Sequence, residues 1–106
     1  MSDNETKLVL DSLPDEDSLV DISELFKIFG DSTRIKILFS LLNKSLSVNE
    51  MVELLGIQQS AISHQLRILK ENHLVKYDRM GKSNYYSLSD DHVKSILSMG
   101  LEHISE

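Results

Sequence analysis

Through most of the chain, apolar residues recur three and four positions apart, the spacing of helices that bury one face. Ile22–Phe29 sets Leu25, Ile28 and Phe29 on one side, and Gly30 is placed to end that helix. Asp31 or Ser32 caps a second helix, Thr33–Leu42, with Ile35, Leu38, Leu41 and Leu42 toward the core. Ser47 caps a third, and Glu50 follows at the spacing of a capping box. Met51, Leu54 and Leu55 form its apolar side, Gly56 ends it, and Ile57 and Gln58 make a turn. The next helix, Gln59–Asn72, points Ile62, Leu66 and Leu69 inward. The period then changes. Leu74–Arg79 and Asn84–Leu88 read as strands, with Tyr77, Tyr85 and Tyr86 favouring extended backbone and Gly81 in the loop of a hairpin. A last helix opens at Asp90. A short helix at Thr6–Ser12 precedes all of these, and its Leu8, Val9 and Leu10 are free to pack on a partner. The expected fold is mostly α with a small β-hairpin. Residues 1–20 form an acidic arm, and residues 21–106 form one domain.

At 106 residues the chain is one small domain with a thin core. It has no cysteine, which removes disulfides and zinc–thiolate motifs and fits a reducing compartment. No apolar run approaches a membrane span and no signal peptide is visible, so the expected location is cytoplasmic. The net charge of −6 is unevenly spread. Residues 1–24 carry −7, residues 25–89 carry +4, and residues 90–106 carry −3. The middle of the chain therefore offers a cationic surface to phosphates despite the acidic total.

A capped helix, a short turn at Gly56, a second helix and a hairpin make a winged helix-turn-helix. On the second helix, Ser60, Ser63, His64 and Arg67 fall within about 100° of arc, opposite Ile62, Leu66 and Leu69. Gln58 and Gln59 stand at its N-terminal end, the part of a recognition helix that meets base edges. Amide, hydroxyl and guanidinium groups match the donor and acceptor pattern of the major groove. A merely solvated face has the same polarity. This one, however, has no acid between Gln58 and Lys70, and the hairpin tip adds Arg79 and Lys82, able to reach phosphates. Lys70 and Lys76 are weaker candidates, since surface lysines need no special reason.

The final helix carries Asp90 with His92 and His103 with Glu106. Eleven residues turn through roughly 1100°, so the two histidines share a face, and Glu106, three positions after His103, lies close to it. The same eleven residues rise about 16 Å, too far for one ion with bonds of about 2 Å. Two antiparallel copies would close two equivalent sites, each from the first pair of one chain and the second pair of the other. The bland alternative is an N-cap at Asp90 and solvated side chains elsewhere.

The chain resembles ArsR/SmtB-type metal-responsive repressors over about residues 20–106. The carrying segments are ELFKIFGDSTRIKIL at Glu24–Leu38, MVELLGIQQSAISHQLRILKENHLV at Met51–Val75, and DRMGKSNYYSL at Asp78–Leu88. The resemblance implies a homodimer, joined through terminal helices, that represses transcription from double-stranded operator DNA and leaves it when an inducer binds. Many family members carry two cysteines at the start of the third helix. Ser47 and Asn49 stand there in this chain, which argues against soft ions bound through sulfur. The family's other site, on the C-terminal helix, matches Asp90, His92, His103 and Glu106. Two imidazole nitrogens and two carboxylate oxygens suit tetrahedral Zn(II), with Co(II) as surrogate. A ligating histidine's second nitrogen usually donates a hydrogen bond outward. The family order directs that of His103 toward the backbone near His73, which becomes the expected allosteric contact. An enzyme is not expected: no His-Glu-x-x-His motif, phosphate loop or nucleophile elbow is present, and no small organic substrate is implied. A winged-helix repressor that senses no metal is the alternative, and the acidic ends disfavour a DNA-packaging protein.

Overall fold

The computed structural model describes residues 1–106. Its elements are α1 (Asp3–Ser12), α2 (Glu16–Phe29), α3 (Ser32–Ser40), β1 (Leu46–Ser47), α4 (Val48–Leu55), α5 (Gln59–Glu71), β2 (Val75–Met80), β3 (Ser83–Leu88) and α6 (Asp91–Ile104). Local chemistry sets most boundaries. Asp31 caps α3 by accepting from the Arg34 N–H. Ser47 and Glu50 form the expected capping box on α4, and the Ser47 N–H holds the Glu50 carboxyl below the usual carboxylate range. Gly56 ends α4 with φ +66°, a left-handed conformation that glycine adopts without steric cost.

Several elements differ from expectation: α1 begins at Asp3 rather than Thr6, and α3 ends at Ser40 rather than Leu42. α2 begins at Glu16 rather than Ile22, because Asp15 caps it by accepting from the Ser18 N–H at 2.7 Å and Glu16 and Asp17 complement the helix dipole. The helix thus runs through residue 20. The sheet also has a third strand: β1 pairs antiparallel with β3, giving the order β1-β3-β2. β2 and β3 are the expected hairpin, in register from Val75↔Leu88 to Met80↔Ser83. Gly81 takes φ +64° in the two-residue turn, as a twist-matched hairpin turn requires.

The core lies where α3, α4, α5 and α6 meet. Ile37, Leu38, Met51, Ile62, Leu66 and Leu69 are its most buried side chains, joined by Val93 and Leu97 of α6. Each full burial contributes about 1.5–3 kcal/mol. Within α4 the inward set is Met51, Val52 and Leu55, while Leu54 is 67% exposed, contrary to the spacing. In α3, Ile37 is fully buried although the pattern favoured Ile35, which only packs against the core edge. α1 buries nothing, and the molecule is elongated at 62 × 31 × 21 Å.

One polar contact ties these layers together. The Arg34 side chain, 16% exposed, donates from Nε to the Ile28 carbonyl at 2.8 Å and from Nη1 to Gln65 Oε1 at 3.1 Å. It joins the end of α2 to the middle of α5. Arg34→Ala strands these acceptors and should lower unfolding free energy by about 2–3 kcal/mol. Urea denaturation at fixed protein concentration would measure this, and a loss within about 0.5 kcal/mol, the range of ordinary surface substitutions, would show the contact to be incidental.

Candidate nucleic-acid interface and metal centre

α5 is seated by its apolar edge, so its polar face is presented outward. Ile62, Leu66 and Leu69 are buried, while Ser60, Ser63, His64 and Arg67 are exposed on the opposite side. Gln58 is the N-cap residue but its side chain makes no capping hydrogen bond, and Gln59 is exposed beside it. Both amides are thus available to a ligand. No acid sits in the first turn of α5, so nothing there neutralises its positive end. Gln65, which the sequence did not single out, is the tether to Arg34 rather than a surface group. Its signal is tertiary and has no trace in local spacing.

The wing continues this surface. Arg79 and Lys82 are exposed, and the Arg79 Nε donates to the Gly81 carbonyl at 3.3 Å, steadying the tip. Lys70 has another role. Its Nζ lies 4.4 Å from the centroid of Tyr77, which itself packs against its cross-strand partner Tyr86 at 5.5 Å. Lys70 thereby fastens the end of α5 to the wing.

α5 ends in a Schellman turn. The Leu74 N–H donates to the Leu69 carbonyl and the His73 N–H to the Lys70 carbonyl, at 2.9 and 3.0 Å. His73 is the only non-glycine residue with positive φ, at 60°. Its side chain is exposed, and its carbonyl accepts from Ser89 Oγ at 2.6 Å.

At the start of α6, Asp90 is the N-cap, accepting from the Val93 N–H at 3.2 Å. The same oxygen lies 3.5 Å from His92 Nδ1, and the His92 side chain is 93% exposed. One carboxylate and one imidazole therefore already face each other, with open space around them. His103 lies in the last turn of α6 and is exposed. Glu106 lies past the C-cap Ser105, outside the helix, so its place on the helical face is not fixed by α6 as the spacing supposed. Within one chain, no three metal-ligating side chains come together. Between the pairs runs an apolar groove of about 330 Å³ lined by Phe26, Phe29, Phe39, Ile96, Leu101 and Ile104, uncovered by the chain's own residues.

Known proteins resemble this chain in sequence and share its fold. Residues 31–77 match the profile described as "Bacterial regulatory protein, arsR family". The transcriptional repressor SmtB homolog of Synechocystis sp. is 36% identical over 85% of this chain and 68% of its own length. The chain belongs to the ArsR/SmtB family. The cadmium resistance regulatory protein CadC homolog of Staphylococcus aureus is also 36% identical, over 82% of this chain and 73% of its own. The homodimeric winged helix-turn-helix domain Mb0332 of Mycobacterium bovis, 22% identical, shares the fold with a TM-score of 0.77 over 100% of this chain and 89% of that one. ArsR/SmtB members are DNA-binding transcriptional repressors, not enzymes. No helix of this member is long and apolar enough to cross a membrane.

The exposed set on α5 and the wing predicts two distinguishable losses. Lys82→Ala should weaken binding similarly on all duplexes and flatten the salt dependence of log K by about 0.9 per phosphate contact removed. Gln59→Ala should instead leave the salt slope alone and relax discrimination by about 1–3 kcal/mol at the base it meets. Fluorescence anisotropy across a salt series would separate them. An unchanged slope for Lys82→Ala would remove the wing from the interface.

Proposed function

We propose that this family member is a metal-responsive repressor acting in the cytoplasm. Its apo homodimer sets two α5 helices into successive major grooves of operator DNA, about one helical turn apart. Gln58, Gln59, Ser60, Ser63, His64 and Arg67 face the bases and nearby backbone, and Arg79 and Lys82 meet flanking phosphates. The α2–α6 groove is the dimer seam, where a second copy covers the apolar lining. Zn(II), or Co(II) in its place, is the inducer.

The observation that carries the metal reading is the pairing of Asp90 with His92 at one end of α6, 3.5 Å apart, with His103 and Glu106 at the other end. The residues fit the group: nitrogen and carboxylate oxygen donors without sulfur, in open space, split so that a second subunit completes each set. The CadC homolog's description as a cadmium resistance regulator supports metal sensing in general, while the donor set here favours a harder ion than one bound by thiolates. When bound, Zn(II) would join the start of one α6 to the end of the other. His103, its ring orientation thus fixed, directs its second nitrogen to the backbone near His73. There the carbonyl already accepts from Ser89 and has a second lone pair free. The outcome is a dimer whose winged units are restrained away from the DNA-bound spacing, lowering operator affinity and releasing repression of metal-homeostasis genes.

Co(II) added to the purified apo protein should give intense tetrahedral visible bands saturating near about one ion per chain, and His92→Ala and His103→Ala should each abolish them. Zn(II) should then reduce operator affinity in the wild type alone. The spectrum of hydrated Co(II) would instead indicate a repressor of this fold that senses no metal. His103→Gln that still binds metal and releases DNA normally would exclude the His103–His73 contact.

A further inference from the structure

Ser89 is neither a candidate ligand nor a DNA-facing residue, yet it touches the end of the recognition helix twice. Its Oγ–H donates to the His73 carbonyl at 2.6 Å, and its backbone N–H donates to the Leu74 carbonyl at 3.0 Å. The next residue is Asp90, which caps α6 and lies against His92. Ser89 also directly follows the last rung of the hairpin, Val75↔Leu88, so little slack separates the sheet from the first metal pair.

The residue it grips is unusual. His73 holds φ 60°, a left-handed conformation that a side-chain-bearing residue keeps only when its surroundings impose it. The Schellman bonds fix the His73 and Leu74 N–H groups, and the serine hydroxyl fixes the carbonyl between them. The orientation of the helix-ending peptide is thus set jointly by α5 and by the residue preceding Asp90.

From this geometry we infer that Ser89 is a positioning residue that transmits metal occupancy at Asp90 and His92 to the recognition helix of the same subunit. The inference rests on the metal-responsive reading and adds a route through Ser89, separate from the contact of His103 with the backbone near His73. Any shift of the Asp90 carboxylate on ligation moves the adjoining peptide. A hydroxyl bonded to the His73 carbonyl pulls the left-handed turn with it. Without the hydroxyl, the backbone bond to Leu74 remains, so the fold persists while the turn is decoupled.

The test measures operator affinity of apo and Zn(II)-loaded dimers for wild type, Ser89→Ala and Ser89→Thr, with Co(II) spectra as a separate readout of metal binding. Allosteric coupling of ordinary size corresponds to about a 5–150-fold fall in affinity on metal loading. Ser89→Ala should keep the tetrahedral bands and apo affinity, yet lose most of that fall. Ser89→Thr, which retains the hydroxyl, should restore it. Amide exchange at Leu74 should quicken in Ser89→Ala only. An unchanged fall in Ser89→Ala overturns the inference, as does an equal weakening of apo and loaded binding, which would make Ser89 merely structural. Absence of tetrahedral bands in the wild type is a different failure, that of the metal-responsive reading itself.

Discussion

The seating of α5 is the constraint from which the rest of the molecule follows. Ile62, Leu66 and Leu69 are buried among Ile37, Leu38 and Met51, and that burial fixes the rotation of the helix about its axis. A helix held by one apolar edge must turn its other edge outward, and the outward edge carries the hydroxyl, imidazole and guanidinium groups. Its ends are fixed by two left-handed residues, Gly56 before it and His73 after it. Its middle is held by Gln65 to Arg34, and through Arg34 to the Ile28 carbonyl near the end of α2. A rotation of α5 would bury polar groups and expose leucines at a cost of several kcal/mol. Control of DNA binding is therefore more readily exercised by moving whole subunits, or the turn at His73, than by rolling the helix.

α6 is organised by length. Val93 and Leu97 fix one side of it to the core, while the candidate ligands stand at its two ends, about 16 Å apart along the axis. That rise separates what one ion would need together, and a second chain is the economical way to supply it. Charge follows the same division. The acidic segments lie at the two termini and the basic excess lies between them, where the recognition helix and wing are.

Much of this was legible in the sequence because it is local. Helical spacing gave α3 to α6, the Ser47–Glu50 pair gave the capping box, and Gly81 between tyrosine-rich runs gave the hairpin. The inward edge of α5 was read residue for residue. What escaped was short, crowded or distant. β1 spans only Leu46–Ser47, too few residues to show a period. The start of α2 was hidden because its first turns are acidic rather than apolar, although Asp15 was a usable cap signal. In α3, apolar residues stand on nearly every side, so spacing did not choose Ile37 over Ile35. At the candidate sites, Asp90 and His92 were paired by local spacing, whereas Gln65–Arg34 and Ser89–His73 are contacts across 31 and 16 positions that only the fold creates. Glu106 was placed by extending a helix that in fact stops at Ile104.

The claim on which the functional account turns is that each metal site takes its two pairs from different subunits, and mixed dimers test it directly. A heterodimer of one His92→Ala chain and one His103→Ala chain, isolated with two affinity tags, would be titrated with Co(II). If the pairs join across the seam, one of its two sites carries both lesions and the other carries none. About one tetrahedral ion per heterodimer should then bind, while neither parent homodimer binds any. A heterodimer as inert as its parents, or parents that still give tetrahedral bands, would contradict the inter-subunit site.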